Sequence, residues 1–344
     1  MMLTRDDGDF IQRALELAER GEGHTRPNPP VGAVIVKNGK IIGEGWHKRC
    51  GGDHAEVAAI KDALKRGNPT HGATIYVTLE PCSKPGRVGA CTDAIIAAGI
   101  KRVVYAVPDP NPKNRGRAKR VLARVGIVCE RTSDRSVRAL ADRLIAPFAK
   151  HVTTGLPFVT VKLAMSLDGK ICDDYGNAKW ISSKASRRIA GWERARVDAI
   201  MVGAETVRRD NPSLLSHNKR NDDLIRVIVT RSGKLPKNAQ IFTDGAPNET
   251  RVFRVGKDAK DLKDVLRQLG KMGVMHVFCE GGLKLARSLA DAGLVDAWIS
   301  FLAPIVIGSK PLKSALRFHQ YLRGWNGDDM ESHYELPRGC PCRR

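Results

Sequence analysis

Short apolar runs alternate with stretches of helical periodicity along most of the chain, and this alternation limits the possible folds more than any other feature. Residues 10–20 set Phe10, Ala14, Leu17 and Ala18 on one helical face. The apolar runs Val31–Val36 and Lys40–Gly45 are joined through Asn38-Gly39, a pair that tolerates the two positive φ angles of a type I′ turn, so they predict an antiparallel hairpin. The pattern then predicts a helix over His54–Lys65, a strand at Thr74–Leu79, a helix near Cys91–Ala98 and a strand at Arg102–Val107. A helix near Arg117–Arg124, a strand at Ile127–Glu130 and a polar connecting helix over Thr132–Lys150 complete the first half. Thr153-Thr154-Gly155-Leu156-Pro157 reads as a linker. Beyond it, strand candidates recur at Phe158–Leu163, Ala199–Val202, Ile225–Val229, Arg251–Val255, Met275–Cys279 and Ala297–Ala303. The expected fold class is α/β in two layered units, residues 1–152 and 153–344. A length of 344 residues suits two domains, each burying its own core.

Composition narrows the partners rather than the fold. Lys+Arg at 58 against Asp+Glu at 37 give a net charge of +21, which suits nucleic acid, phosphorylated small molecules, or neither. No window approaches ~18 uncharged apolar residues, so no membrane span is expected. The opening residues lack an apolar signal region, which predicts a cytoplasmic protein. In that reducing setting the eight cysteines are expected to bind metal or to be buried rather than to form disulfides.

Three potential zinc ligands, His54, Cys82 and Cys91, fall at element ends. His54 and Glu56 stand in Asp53-His54-Ala55-Glu56 where a helix begins, Cys82 follows a strand in Leu79-Glu80-Pro81-Cys82, and Cys91 comes eight residues further on. On a helix side His54 and Glu56 would diverge by ~200°, but in a first turn both reach a site off the helix end. Helix N-termini favour thiolates, and one imidazole with two thiolates suits zinc. Three protein ligands leave a fourth tetrahedral position, the mark of a catalytic rather than a structural site. Singly, a His or Cys is ordinarily a core or surface group; together and in this order they match the H-x-E and P-C-x-x-C arrangement of zinc nucleobase deaminases, with eight spacer residues in place of two. Cys50, Cys129, Cys172 and Cys279 sit in or beside apolar segments and are expected to be buried thiols, while Cys340 and Cys342 form a tail pair.

The eight-residue spacer, with Pro27-Asn28-Pro29-Pro30-Val31-Gly32, Gly43-Glu44-Gly45-Trp46-His47, Gly52-Asp53-His54-Ala55-Glu56 and Asp109-Pro110-Asn111-Pro112, resembles the deaminase half of the bifunctional riboflavin-biosynthesis deaminase/reductase family. The second half resembles that family's reductase through Lys162–Lys170, Trp180-Ile181-Ser182-Ser183, Asp198–Gly203, Thr206-Val207, Asp210-Asn211-Pro212 and Glu280-Gly281-Gly282. The resemblance implies a cytidine-deaminase-like three-layer domain followed by a dihydrofolate-reductase-like domain. It implies zinc-dependent deamination of a phosphoribosylaminopyrimidine, then NADPH-dependent reduction of its ribosyl group to ribityl.

Carried onto this sequence, the family's sites imply Glu56, Lys162 and Asp210 as catalytic residues and His54, Cys82 and Cys91 as zinc ligands. Asn28, His47, Arg87, Ser182, Arg187, Leu214 and Glu280 are implied as substrate contacts, and Trp180, Gly203, Thr206, Asp210 and Gly282 as cofactor contacts. Glu280-Gly281-Gly282 follows an apolar run, where glycines either make a structural turn or let backbone amides approach a dinucleotide phosphate. The expected partners are a phosphorylated pyrimidine and further copies of the chain, with neither nucleic acid nor membrane. The chain departs from the family at Lys84, at Val88–Ala90 and at His217. Two alternatives stay open at this point: a reductase with a degenerate deaminase half, and a tRNA adenosine deaminase.

Overall fold

The first helix, α1 (Arg5–Ala18), buries Ile11, Ala14, Leu15, Leu17 and Ala18, the stripe that a 3.6-residue period of apolar positions creates. Phe10 lies at its margin, tilted against Tyr76 at 5.1 Å. The structure is a computed structural model and describes residues 5–84, 89–176, 181–216, 223–246, 248–256, 259–309 and 316–317. Asn38 and Gly39 take φ of 51° and 73°, so the chain reverses between β1 (Gly32–Lys37) and β2 (Lys40–Trp46) in the expected hairpin. Then come α2 (Ala55–Lys65), β3 (Thr74–Leu79), α3 (Cys91–Ala97), β4 (Arg102–Val107), α4 (Arg117–Ala123), β5 (Val128–Arg131) and α5 (Arg135–Thr154).

These strands form one sheet in the order β2-β1-β3-β4-β5, antiparallel across β1 and parallel from β3 onward. The two-residue period sends Ala33, Ile35, Ile75, Val77 and Val103 to a face covered by α2, α3 and α4, and Val34, Val36, Tyr76 and Val104 to a face covered by α1 and α5. On the first face the approach is unusually close. Gly43 and Gly45 of β2 lie directly under Ala55, Ala59 and Ala63, and a Cβ on Gly45 would come within 2.3 Å of the Ala59 nitrogen.

α5 extends beyond its expected end. The Asp134 carboxylate caps it by accepting from the Ser136 and Val137 amides, and the Thr153 and Thr154 hydroxyls donate to the Ala149 and Lys150 carbonyls. Gly155, at φ 72°, ends it. Thr153 and Thr154 are therefore helical, position 152 lies in the last turn, and the connection shrinks to residues 155–157.

The second unit comprises β6 (Phe158–Ser166), α6 (Lys184–Arg196), β7 (Ala199–Gly203), α7 (Ala204–Asp210), β8 (Ile225–Thr230), α8 (Gln240–Thr243), β9 (Thr250–Arg254), α9 (Ala259–Lys271), β10 (His276–Cys279), α10 (Leu283–Asp291) and β11 (Ala297–Ala303). Six of its strands form one sheet, parallel at every pairing, in the order β11-β6-β10-β7-β8-β9, and a short antiparallel pair, Ile305–Val306 with Leu316–Arg317, lies outside it. Val159, Val161, Met201, Val227 and Val277 pack on Leu262, Leu266, Leu269 and Leu289 of α9 and α10. Ile200, Val202, Ile228 and Phe278 pack on Val207, Leu214 and Ile241 on the other side. Such near-continuous apolar strands are what burial on both faces requires.

Contacts across the two units include the Glu22–Arg196 ion pair and Lys150 with Asp296 at 2.5 Å. Gly23 lies so close to the Ala195 carbonyl that a Cβ would stand 2.3 Å from its oxygen. Of the cysteines expected to be buried, Cys129 and Cys279 are; Cys50 and Cys172 are only half-buried because they lie on loops, Cys172 at the wall of a cavity. Cys340 and Cys342 fall outside the described residues.

Candidate active sites

In the first unit, the backbone before α2 is extended at His54, whose side chain takes no part in capping the helix. Glu56, in the helix's first turn, is 3% exposed. Cys82 lies just past β3, and Cys91 opens α3. His54 Nδ1 is 3.1 Å from Cys91 Sγ and 3.6 Å from Cys82 Sγ, and the two sulfurs are 3.3 Å apart. Zinc–ligand bonds of ~2.0–2.3 Å in a tetrahedron place such atoms ~3.5–3.8 Å apart, so a small outward adjustment admits the ion. The donor set fits zinc.

Electrostatics agree with that geometry. Hydrogen bonds from the Cys91 thiol, the His54 ring and the Cys91 amide outweigh burial and hold Cys82 well below the usual thiol range, at about 4. Burial pushes Glu56 up to about 7, and the charge of Cys82 acts in the same direction. A carboxyl with that affinity both accepts and releases a proton near neutrality.

Asn28 and His47 join the same site, with the His47 and His54 rings edge to face at 5.3 Å. His47 Nδ1 lies 2.9 Å from the Asp53 carbonyl and Nε2 lies 3.1 Å from the Asn28 amide nitrogen. Burial holds His47 below its usual pKa against the opposing Asp53 contact. The ring is therefore neutral: Nδ1–H donates to Asp53, Nε2 accepts from Asn28, and Asn28 Oδ1 is left as an acceptor. The buried Ser83 hydroxyl has no hydrogen-bond partner among the described residues. Glu80, passed over in the sequence, accepts the Asp109, Gly116 and Ala118 amides and so shapes the loop after β4. Arg87 lies outside the described residues.

In the second unit two cavities adjoin at the carboxyl ends of the parallel strands, where such sheets bind ligands. The smaller, about 550 Å³, is lined by Lys162, Ser182, Arg187, Arg194, Leu214 and Glu280. The larger, about 960 Å³, is lined by Gly203, Arg208, Arg209, Arg231, Ser232 and Lys284 among others. Ser182, Arg187, Leu214 and Glu280 thus line the smaller cavity and Gly203 the larger, with Thr206, Asp210 and Gly282 common to both. Trp180 and His217 lie outside the described residues.

The larger cavity fits a dinucleotide. No atom lies within 4 Å of a Cβ built on Gly203, and only the Ile171 side chain, at 4.0 Å, meets one on Gly282. Gly282 precedes α10 without a side-chain cap, and Arg208, Arg209, Arg231 and Lys284 line the same cavity. The loop from Asp210 to Leu214 is strained, with φ of 42° at Asn211 and 57° at Leu214. Arg194 was not legible in the sequence: one arginine among 58 basic residues carries no signal.

Comparison with known proteins identifies both units. Residues 4–107 match the cytidine and deoxycytidylate deaminase zinc-binding region, and residues 157–325 match the RibD C-terminal domain. The riboflavin biosynthesis protein RibD of Bacillus amyloliquefaciens is 40% identical over 95% of this chain and 90% of its own length. The chain belongs to the RibD family. The Escherichia coli (strain K12) RibD is 37% identical over 88% of this chain and 89% of that one. Among solved structures, a diaminohydroxyphosphoribosylaminopyrimidine deaminase/5-amino-6-(5-phosphoribosylamino)uracil reductase from Thermotoga maritima superposes with a TM-score of 0.80 at 35% identity, covering 89% of each chain. Acinetobacter baumannii RibD gives 0.77 at 35% identity over 92% of each. The fold class is as expected, a cytidine-deaminase-like unit followed by the family's reductase unit, and neither alternative reading is favoured.

Proposed function

We infer that this RibD family member is a bifunctional enzyme of riboflavin biosynthesis, a zinc-dependent deaminase and an NADPH-dependent reductase on one chain. The observation that carries the deaminase is a buried, non-ligating carboxylate, Glu56, beside three ligand atoms all within 4.8 Å of one another. Zinc, when bound, supplies the Lewis acidity that makes water nucleophilic at neutral pH. Glu56 takes the proton of the attacking water and delivers it to the amine, which leaves as ammonia. Asn28 and His47 orient the pyrimidine, and Arg87 contacts its phosphate.

In the second unit the substrate is 5-amino-6-(5-phosphoribosylamino)uracil. NADPH, when bound, supplies the hydride. Gly203, Thr206, Gly282 and Trp180 hold the dinucleotide, while Asp210, on the wall common to both cavities, carries a proton to the ribose oxygen as hydride reaches the adjacent carbon. Lys162 and Glu280 contact the sugar, Ser182 and Leu214 bound it, and Arg187 holds the phosphate. We assign these two activities to residues 1–152 and 153–344.

Two coarser features complete the proposal. Among the described residues no helix is long and apolar enough to cross a membrane, and six cysteines are free thiols, consistent with a cytoplasmic enzyme. β11 is an edge strand with Trp298 and Leu302 half-exposed, which favours a homo-oligomer, to be read by light scattering. The deciding experiment supplies 2,5-diamino-6-(5-phosphoribosylamino)pyrimidin-4-one with and without NADPH and follows ammonia and NADPH together. Ammonia released without NADPH, and NADPH consumed only after it, is the expected result. NADPH oxidation without ammonia would leave only the reductase.

A further inference from the structure

Arg194 touches three separate parts of the smaller cavity's wall. It lies near the end of α6, the helix that also carries Arg187. Its Nε donates to Glu280 Oε1 at 2.6 Å and its Nη2 to Oε2 at 3.0 Å, a two-pronged contact just past the end of β10. Its Nη1 donates to the Leu215 carbonyl at 3.1 Å, next to Leu214 in the strained loop. Glu280 Oε2 also faces Lys162 Nζ at 3.8 Å. One side chain therefore ties together the three segments that bear Arg187, Glu280 and Leu214.

The Glu280 side chain is only 9% exposed, and a carboxyl buried to that degree without a cation would take up a proton. Burial pushes Glu280 up, but the charge and hydrogen bonds of Arg194, followed by the charge of Lys162, more than cancel it and hold Glu280 below the usual carboxylate range. An ionised carboxylate has acceptor sites only. With one lone pair of each oxygen taken by the guanidinium, what remains is an acceptor for donors such as sugar hydroxyls.

We propose that Arg194 is a positioning residue of the reductase, holding Glu280 as a permanent anion in register with Lys162, so that Glu280 accepts hydrogen bonds from the ribosyl hydroxyls and is never the proton source. The proposal rests on the reading of Glu280 as a substrate contact. A lysine at position 194 keeps a charge but not the planar fork that grips both oxygens and the Leu215 carbonyl.

The test compares full-length Arg194→Gln, Arg194→Lys, Glu280→Gln and the Arg194→Gln/Glu280→Gln double variant. NADPH-oxidation kcat and KM and thermal unfolding are measured from pH 5 to 9, with ammonia release followed alongside. Arg194→Gln should lose about 10–100-fold in reductase kcat/KM, the scale of a charge-assisted hydrogen bond. Its activity should acquire a new dependence, falling as the pH falls and Glu280 protonates. Its Tm should drop relative to the parent as the pH rises, because burying an unpaired carboxylate then costs more. Arg194→Lys should restore the parent's pH profile at a lower kcat, and the double variant should be no slower than Glu280→Gln. A slowed Arg194→Gln with the parent's pH profile and Tm slope overturns the proposal, as does a double variant much slower than Glu280→Gln. If Arg194→Gln does not fold, Arg194→Lys and the double variant decide. Full turnover by Glu280→Gln removes Glu280 from the substrate site; impaired Glu280→Gln with unaffected Arg194 variants removes only the role of Arg194.

Discussion

Replacing Gly45 by alanine tests how the deaminase site is held, because that glycine carries no reacting group. A Cβ there would stand 2.3 Å from the Ala59 nitrogen, 2.6 Å from the Ala55 oxygen and 2.7 Å from the Ala58 carbonyl carbon, all α2 backbone that no rotamer change can move aside. Restoring a contact of ~3.4 Å requires β2 and α2 to separate by about 1 Å, and overpacking of this kind costs about 1–3 kcal/mol. The displaced helix carries Glu56 in its first turn and His54 at its start. A misplacement of about 1 Å costs on the order of 100-fold in rate, or about 2.7 kcal/mol of barrier. Gly45→Ala should therefore lower ammonia-release kcat/KM about 100-fold and weaken zinc retention, while NADPH oxidation with the deaminated substrate is unchanged. Gly39→Ala is the control: it strains a positive φ but meets no atom within 4 Å, so it should cost stability without touching the site. Wild-type ammonia kinetics and zinc content in folded Gly45→Ala would refute the claim that close packing of α2 on β2 sets the metal site.

Other perturbations have equally definite outcomes. Glu56→Gln should keep zinc and Tm yet lose about 10²–10⁴-fold in ammonia release; retained turnover would remove Glu56 from proton transfer. Arg226 and Asp244 form an ion pair at 2.5 Å, 3% and 8% exposed, with further Arg226 hydrogen bonds to the Ser213 and Asn248 carbonyls. Arg226→Met should cost about 3–5 kcal/mol in urea unfolding, largely recovered by adding Asp244→Leu, and an additive loss would argue against the pair. His276 is pushed down to about 4, first by burial and then by the charge of Arg196. Its folded pKa lies below its unfolded value, so its stability contribution is complete above ~6.5 and is lost as the pH falls from there toward about 4. Acid should destabilise the chain on that limb by on the order of 2–3 kcal/mol, and His276→Gln should flatten it.

How much was legible depended on whether a residue's role is local. Asn38-Gly39 declares its turn because only certain residues accept two positive φ angles, and β3, β4 and β11 fall where their apolar runs say. His54, Glu56, Cys82 and Cys91 were legible because ligand types at element ends are chemically specific. For the second unit only strands were expected, and α5 ran past its expected end, where the hydroxyls of Thr153 and Thr154 donate to carbonyls in the preceding turn. Gly45 looked like one glycine in a motif until α2 was seen against it. Glu80 and Arg194 act across long sequence separations, Arg194 reaching 86 residues to Glu280, and no local pattern announces such a partner.

The contact between Glu22-Gly23 and Ala195-Arg196 has a consequence for building hybrids of this enzyme. Each half presents one side of a lock: a carboxylate and a bare α-carbon from the first unit, a guanidinium and a backbone carbonyl from the second. A chimera that joins the first unit of one family member to the second unit of another inherits its linker by construction but inherits a matching lock only if positions 22, 23 and 196 are exchanged together. Reversing the charges, with Glu22→Arg and Arg196→Glu on the same chain, would make a private version of that lock for steering which halves associate.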